Sequence, residues 1–408
     1  MPNLELLCPA GDMKCLRAAL RFGADAVYVG GPKLQLRAGS AGFSMDTLAL
    51  AAKAVHAAGR RLYVTVNAFP TNGELDALGD YAQGLFALGA DAAIVADLGA
   101  VAVMRRAEPR LPIHVSTQAN CVNWAAATAW YELGANRVVL GREMTLAQIG
   151  ELRARTPAAL ELEAFVHGAM CMAWSGRCMI SAFLTGRSAN RGACTQSCRW
   201  RYHLVEEKRP GEFFPVEEDE RGTTILSSHD LNCLDFLDKI AEAGVTSFKI
   251  EGRMKSPYYV ATVTNAYRRR MDALAAGPAS PETLALLQRE LDAVSHRAYA
   301  SGFYFGEMKR HAPDGGAYLQ DCVFVGVIRA LPEAGRARVE LRNRVREGDV
   351  LEILSPHSLG QTLVAANLAR PDGTRVEQVL EPMTLFDMDA PAGLAPGDML
   401  RRRLAGSE

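Results

Sequence analysis

The sequence carries almost no net charge. Its 45 lysines and arginines face 46 aspartates and glutamates, leaving a formal −1 over 408 residues. A chain-wide field that would draw in nucleic acid or an anionic membrane is therefore excluded, and any surface for RNA has to be local. No apolar run approaches the length of a membrane span. The opening stretch "MPNLELLCPAGD" reaches acidic residues at once and lacks a basic region ahead of an apolar one, so no signal peptide is expected. These absences predict a cytoplasmic protein with no membrane partner. His-Glu-x-x-His and Gly-x-Ser-x-Gly are also missing, and no Cys–His spacing argues for a nucleophile. In a cytoplasmic setting thiols stay reduced. A cluster among the nine cysteines then points to metal or redox chemistry rather than to disulfides.

What is present first is a repeat. A helical stretch ends at a glycine, and a short Val/Ile/Leu-rich run follows. This happens at Gly23 ("RFGADAVYVGG"), Gly59, Gly89, Gly134 and Gly244 ("EAGVTSFKIEGR"). The glycine suits a left-handed helix C-cap, and the run suits a strand buried on both faces. "LELLCPAG", "PIHVSTQAN" and "ELEAFVHGA" add three strands without the glycine entry. Eight strands alternating with helices predict an α/β fold, a (β/α)8 TIM-like barrel over residues 1–276, with a doubly wound open sheet as the competitor. A helical connector is expected over 277–317. Short alternating strands such as "DCVFVGVIRAL" and "GDVLEILSP" predict a small antiparallel all-β barrel over 318–408.

Chemistry in a parallel barrel sits at the C-terminal strand ends. Those ends carry Asn67, Asp97, Ser116, Gln118, Asn120, Arg142, Glu143, Glu163, His167, Lys249, Glu251 and Arg253. Alternation places Lys249, Glu251 and Arg253 on one side of strand 8. Singly, each is a solvated end or an ion pair within the barrel. Together they form a polar pocket able to hold a small anion. His167 fits a general acid or base, an RNA contact, or a residue that caps its strand.

The segment after strand 7, residues 167–202, collects Cys171, Cys178, Cys194 and Cys198 in the spacing Cys-x6-Cys-x15-Cys-x3-Cys. Four thiolates suit tetrahedral zinc or a [4Fe–4S] cube. Zinc knuckles are tighter than this open wrap, which favours the cube. Cys233 is the reserve ligand. Arg177, Arg187, Arg191 and Arg199 lie in the same segment with Trp200 and Tyr202. Arginine with aromatics suits phosphate contact and base stacking, or the arginines offset a negatively charged cluster.

The runs "FVHGAMCMAWSGRCMISAFLTGRSANRGACTQSCRWRY", "ELLCPAGD", "GADAVYVGG", "HVSTQANCVNW" and "FKIEGRMKSPYYV" resemble the collagenase-like peptidase family. The resemblance is strongest to its prephenate-dependent tRNA uridine hydroxylase branch and covers nearly the whole chain. It implies that the four loop cysteines hold an iron–sulfur cluster. It further implies a tRNA partner, conversion of a wobble uridine to 5-hydroxyuridine, prephenate as the hydroxyl source and an electron donor. Peptidase activity is the alternative, and hydroxylation of ribosomal RNA or of ubiquinone precursors is a third reading. A long insertion that the tRNA branch carries after "CRWRY" is missing here. With a dicarboxylate as co-substrate, Arg142, Arg253 and Lys249 are assigned to its carboxylates, with Gln118 and Asn67 completing the binding set. Glu251 either orients Arg253 or moves a proton, and His167 is the other proton-transfer candidate, so His167, Glu251 and Arg253 are the expected catalytic residues.

Overall fold

The computed structural model describes residues 4–36, 42–170, 178, 180–197, 217–219, 222–224, 229–276, 279–306 and 318–404. Eight parallel strands run β1 (Glu5–Ala10), β2 (Ala26–Gly30), β3 (Arg61–Val66), β4 (Ala92–Val95), β5 (Ile113–Val115), β6 (Ala135–Val139), β7 (Glu161–Ala169) and β8 (Ser247–Ile250). Each pairs with the next in chain order, and β8 pairs in parallel with both β7 and β1. That closure makes a barrel and excludes the open sheet. All eight expected strands are present. Their apolar residues are buried on both faces because helices such as Met45–Ala57, Leu78–Ala87 and Leu98–Ala107 cover the outside. Gly23, Gly59, Gly89, Gly134 and Gly244 all have positive φ, between 67° and 101°, as left-handed helix ends require.

At its C-terminal end β7 gains an antiparallel partner, the short strand Asp230–Asn232, which pairs in turn with Tyr299–Ala300. Residues 1–16, 24–255 and 297–318 form one compact unit.

Residues 17–23, 256–296 and 319–408 form a second unit. It contains the helices Pro257–Ala276 and Pro281–Asp292. Its sheet has six strands: β9 (Cys322–Ala330), β10 (Arg336–Leu341), β11 (Val350–Leu354), β12 (Thr362–Val364), β13 (Leu385–Asp389) and β14 (Met399–Arg403). Their order is β12-β11-β14-β9-β10-β13, antiparallel throughout. Val325, Ile328, Val339, Leu351, Phe386 and Leu400 fill its core. The expected all-β C-terminal fold is present. Among the described residues no helix is long and apolar enough to cross a membrane.

Candidate active site

The barrel interior carries charge where sequence patterning suggests only apolar packing. Register explains it. Glu5 on β1 lies opposite Ser247 on β8, and Ser247 lies opposite Glu163 on β7. Three polar side chains therefore meet in one layer. Arg137 from β6 enters that layer with Nη1 2.5 Å from Glu5 Oε1 and 3.0 Å from Glu163 Oε2. Tyr63 Oη donates to Glu5 Oε2 at 2.7 Å, and Ser247 Oγ donates to Glu5 Oε1 at 2.8 Å. Buried ions persist only when paired and hydrogen-bonded in this way. Beside them His114 packs edge-on to Tyr63, with ring centres 4.7 Å apart. Burial, with Arg137 and Lys249 near, pushes its pKa well below the ordinary value, so the ring is neutral.

This layer is the floor of a small cavity at the C-terminal end of the barrel. Arg142, Lys249, Glu251, Arg253, Asn67, Ser116, Gln118, Tyr28 and Phe165 are on its wall. Lys249 joins floor to cavity, with Nζ 2.6 Å from Glu163 Oε1 and 4.5 Å from the Tyr28 ring centre. The Arg142 guanidinium carbon lies 3.8 Å from the Phe165 ring centre, a cation–π contact, and its Nη2 is 3.4 Å from Glu251 Oε2. Arg253 Nη1 donates to Thr65 Oγ1 at 2.9 Å and to Gln35 Oε1 at 3.3 Å. Gly30 leaves room for that reach: a Cβ there would lie 1.8 Å from Gln35 Oε1 and 2.9 Å from Arg253 Nη1. Three cations thus meet two carboxylates, and one of these, Glu163, is shared with Arg137. The arrangement favours an anionic guest.

The sequence-selected residues Asn67, Gln118, Arg142, Lys249, Glu251 and Arg253 are brought together here. Ser116 joins them, while Glu163 lies beneath. Asp97 instead caps the helix Leu98–Ala107 by accepting from Ala100 N–H at 2.9 Å. His167 is buried with its ring centre 5.4 Å from that of Tyr299, and it is not among the residues on the cavity wall. Glu5, Tyr63, Arg137, Tyr28, Thr65 and Gln35 were not selected from sequence. A charge at an inward position of an otherwise apolar strand was the available signal for Glu5 and Arg137.

Of the described residues in the cysteine segment, Asn190, Arg191 and Gly192 contact the same end of the barrel. Gly192, at φ +86°, lies so close to the Gln35 backbone that a Cβ would sit 2.5 Å from Gln35 O. The side chain of that same Gln35 contacts Arg253. Phe69 N–H donates to Asn190 O at 3.3 Å, and Arg191 binds Phe69 O at 2.8 Å and Glu74 at 3.1 Å. Two of the four cysteines, Cys178 and Cys194, fall among the described residues, and both are half-buried. Ser181 Oγ accepts from Thr195 N–H at 3.1 Å and lies 3.0 Å from Thr195 Oγ1, which ties the chain after Cys178 to the chain after Cys194. Gln196 N–H donates to Cys194 Sγ at 3.4 Å. A backbone donor aimed at a thiol sulfur suits a metal-bound thiolate. Cys171, Cys198, Arg177, Arg199, Trp200 and Tyr202 lie outside the described residues, and Arg187 is exposed. Cys233 is fully buried, which pushes its thiol pKa well up.

Residues 11–313 match the model of peptidase family U32, and residues 320–401 match the model of the U32 C-terminal domain. The tRNA hydroxylation protein P of Escherichia coli is 36% identical over 398 residues, covering 86% of each chain. The tRNA hydroxylation protein P1 of Bacillus subtilis is 34% identical, covering 98% of this chain and 94% of its own. The 23S rRNA 5-hydroxycytidine C2501 synthase of Escherichia coli is 38% identical over 272 residues, 67% of this chain and 40% of that protein. With both of its parts matched, the chain belongs to peptidase family U32.

Proposed function

We propose that this protein hydroxylates RNA, and specifically that it converts a wobble uridine of tRNA to 5-hydroxyuridine with prephenate as the hydroxyl source. The observation that carries the reading is the cationic cavity of Arg142, Lys249 and Arg253 beside the docked cysteine segment. A dicarboxylate asks for two fixed cations. The planar guanidinium forks of Arg142 and Arg253 bind carboxylate in pairs of hydrogen bonds, and Lys249 adds a point charge from below. Glu251, 3.4 Å from Arg142, orients that arginine and is placed to move a proton. Cys171, Cys178, Cys194 and Cys198 would hold a [4Fe–4S] cluster, which supplies electron transfer or a Lewis-acid iron at the mouth.

The names of relatives that modify tRNA and ribosomal RNA support this reading over a peptidase. Burial pushes the thiol of Cys15 up to about 12 and those of Cys121 and Cys322 up to about 11, so these three are not activated nucleophiles. Mass spectrometry of tRNA nucleosides from cells lacking the gene tests the function. Loss of 5-hydroxyuridine and its derivatives is expected, with the same loss in cells unable to make prephenate. Normal levels in both, with no paralogue present, would exclude it.

A further inference from the structure

Beside the anion cavity lies a larger one of about 470 Å³. Its wall is built from the chain after β2, around Gln35 and Phe43, from the chain after β3, at Ala68 and Phe69, and from Arg191 of the cysteine segment. Gln35 stands between the two cavities. Arg253 Nη1, from the anion cavity, donates to Gln35 Oε1 at 3.3 Å, and the next residue, Leu36, lines that cavity. A guanidinium only donates, so the oxygen of the Gln35 amide is the atom turned to Arg253. The amide nitrogen lies on the side of Gly42, where a Cβ would sit 2.8 Å from it, and Gly42 is on the wall of the larger cavity. The two cavities also differ in charge. Among the described residues on the larger wall the charged groups are Glu74 and Arg191, and they pair with each other at 3.1 Å. A neutral guest suits this wall better than a second dicarboxylate. Phe43 is buried in the wall and Phe69 is half-buried, which gives a flat guest apolar surface to pack on.

We propose that this second cavity receives the target pyrimidine base, stacked on Phe69, with Gln35 Nε2 donating to one of its carbonyl oxygens. This rests on the RNA-hydroxylation reading and adds the seat of the second substrate. An enzyme that modifies a base takes it out of the stack and into a pocket. A neutral, planar, partly apolar guest with carbonyl acceptors matches a wall of aromatic side chains and one amide donor. The base and the dicarboxylate then lie on either side of Gln35, whose two amide atoms serve one cavity each.

The test uses anticodon stem-loops and the full chain. A loop with 4-thiouridine at the target position is irradiated in complex with wild-type protein, and the adduct is located by mass spectrometry. It should fall on residues 42–44 or 68–69. Adducts only elsewhere, or none from a loop that binds, overturn the site. Fluorescence anisotropy gives a second reading. Wild-type protein should bind a loop with uridine at the target position roughly 5- to 20-fold tighter than one abasic there. Phe69→Ala should close that gap while keeping the affinity for the abasic loop, since the Phe69 backbone bonds to Asn190 and Arg191 do not need the ring. Equal wild-type affinities, or a gap undiminished in Phe69→Ala, overturn the site and leave the RNA reading standing. Absence of any wild-type binding to RNA overturns that reading, and this inference with it. The cross-link needs no variant, so it decides even if Phe69→Ala misfolds.

Discussion

Lys249 Nζ lies 2.6 Å from Glu163 Oε1, with the two side chains 5% and 0% exposed. Burial lowers the Lys249 pKa from its ordinary value, and Glu163 pulls it back only in part. An anion held by the ammonium is lost once pH rises through that lowered pKa. Glu163→Gln removes the opposing charge and lowers the pKa further. Calorimetric binding of prephenate against pH should therefore lose its alkaline limb at lower pH in Glu163→Gln than in wild type. An unmoved limb rules Lys249 out of the anion site. For stability the sign is opposite to a favourable pair. The cost of the buried ammonium is fully present below the lowered pKa and is relieved as pH rises through it.

Arg137 is the hub of the barrel floor. Arg137→Met leaves Glu5 and Glu163 buried without their shared cation, which should cost about 3–5 kcal/mol. The urea midpoint reads it. Burial raises the Glu5 pKa, but Arg137, Arg61 and Tyr63 outweigh burial and leave it lowered from 4.5. Its contribution is therefore present above that value and lost as pH falls through the lowered pKa. Wild-type protein should lose stability in that acid range, and a flat acid profile would contradict the ionised floor.

Arg253→Ala should abolish hydroxylation while leaving both tRNA affinity and the cluster spectrum intact, because its hydrogen-bond partners among the described residues include Thr65 and Gln35, both on the barrel. Hydroxylation at the wild-type rate removes Arg253 from the site.

Alanine at Cys171, Cys178, Cys194 or Cys198 should each bleach the visible absorbance of anaerobically purified protein. Cys233→Ala should keep it, since that thiol is sealed in the barrel unit with its pKa pushed well up. Stoichiometric zinc in iron-replete, oxygen-free preparations would refute the cluster.

Arg187 is exposed, whereas Arg191 is held by Phe69 O and Glu74. Arg187→Gln should weaken tRNA binding and flatten its salt dependence, as loss of a phosphate contact does. Arg191→Gln should instead loosen the cysteine segment, read as faster loss of the cluster. Reversed effects would exchange the two roles.

The eight strands were legible because buried parallel strands are continuous apolar runs, and the glycines marked where each helix ends. The cavity's cations were legible in part: Lys249 lies on β8, but β8 ends at Ile250, so Arg253 reaches the cavity from the turn after the strand and not by strand alternation. The floor was not. Glu5 and Arg137 are far apart in sequence, and only the closed register of β6, β7, β8 and β1 brings them together. His167 sits at the end of a cavity-forming strand, yet it pairs with the antiparallel strand Asp230–Asn232, 65 residues on at the Asn232↔His167 register, a pairing that no local pattern announces. The seat of the cysteine segment on Gln35 was equally invisible, being a backbone contact through Gly192.

The most direct measurement is reconstitution: purified protein loaded with iron and sulfide, unmodified tRNA, prephenate and a chemical reductant as electron donor, with the product nucleosides weighed. The expected result is one added oxygen on the wobble uridine, dependent on prephenate and absent with Arg253→Ala. Unmodified tRNA in the presence of an intact cluster and prephenate would contradict it.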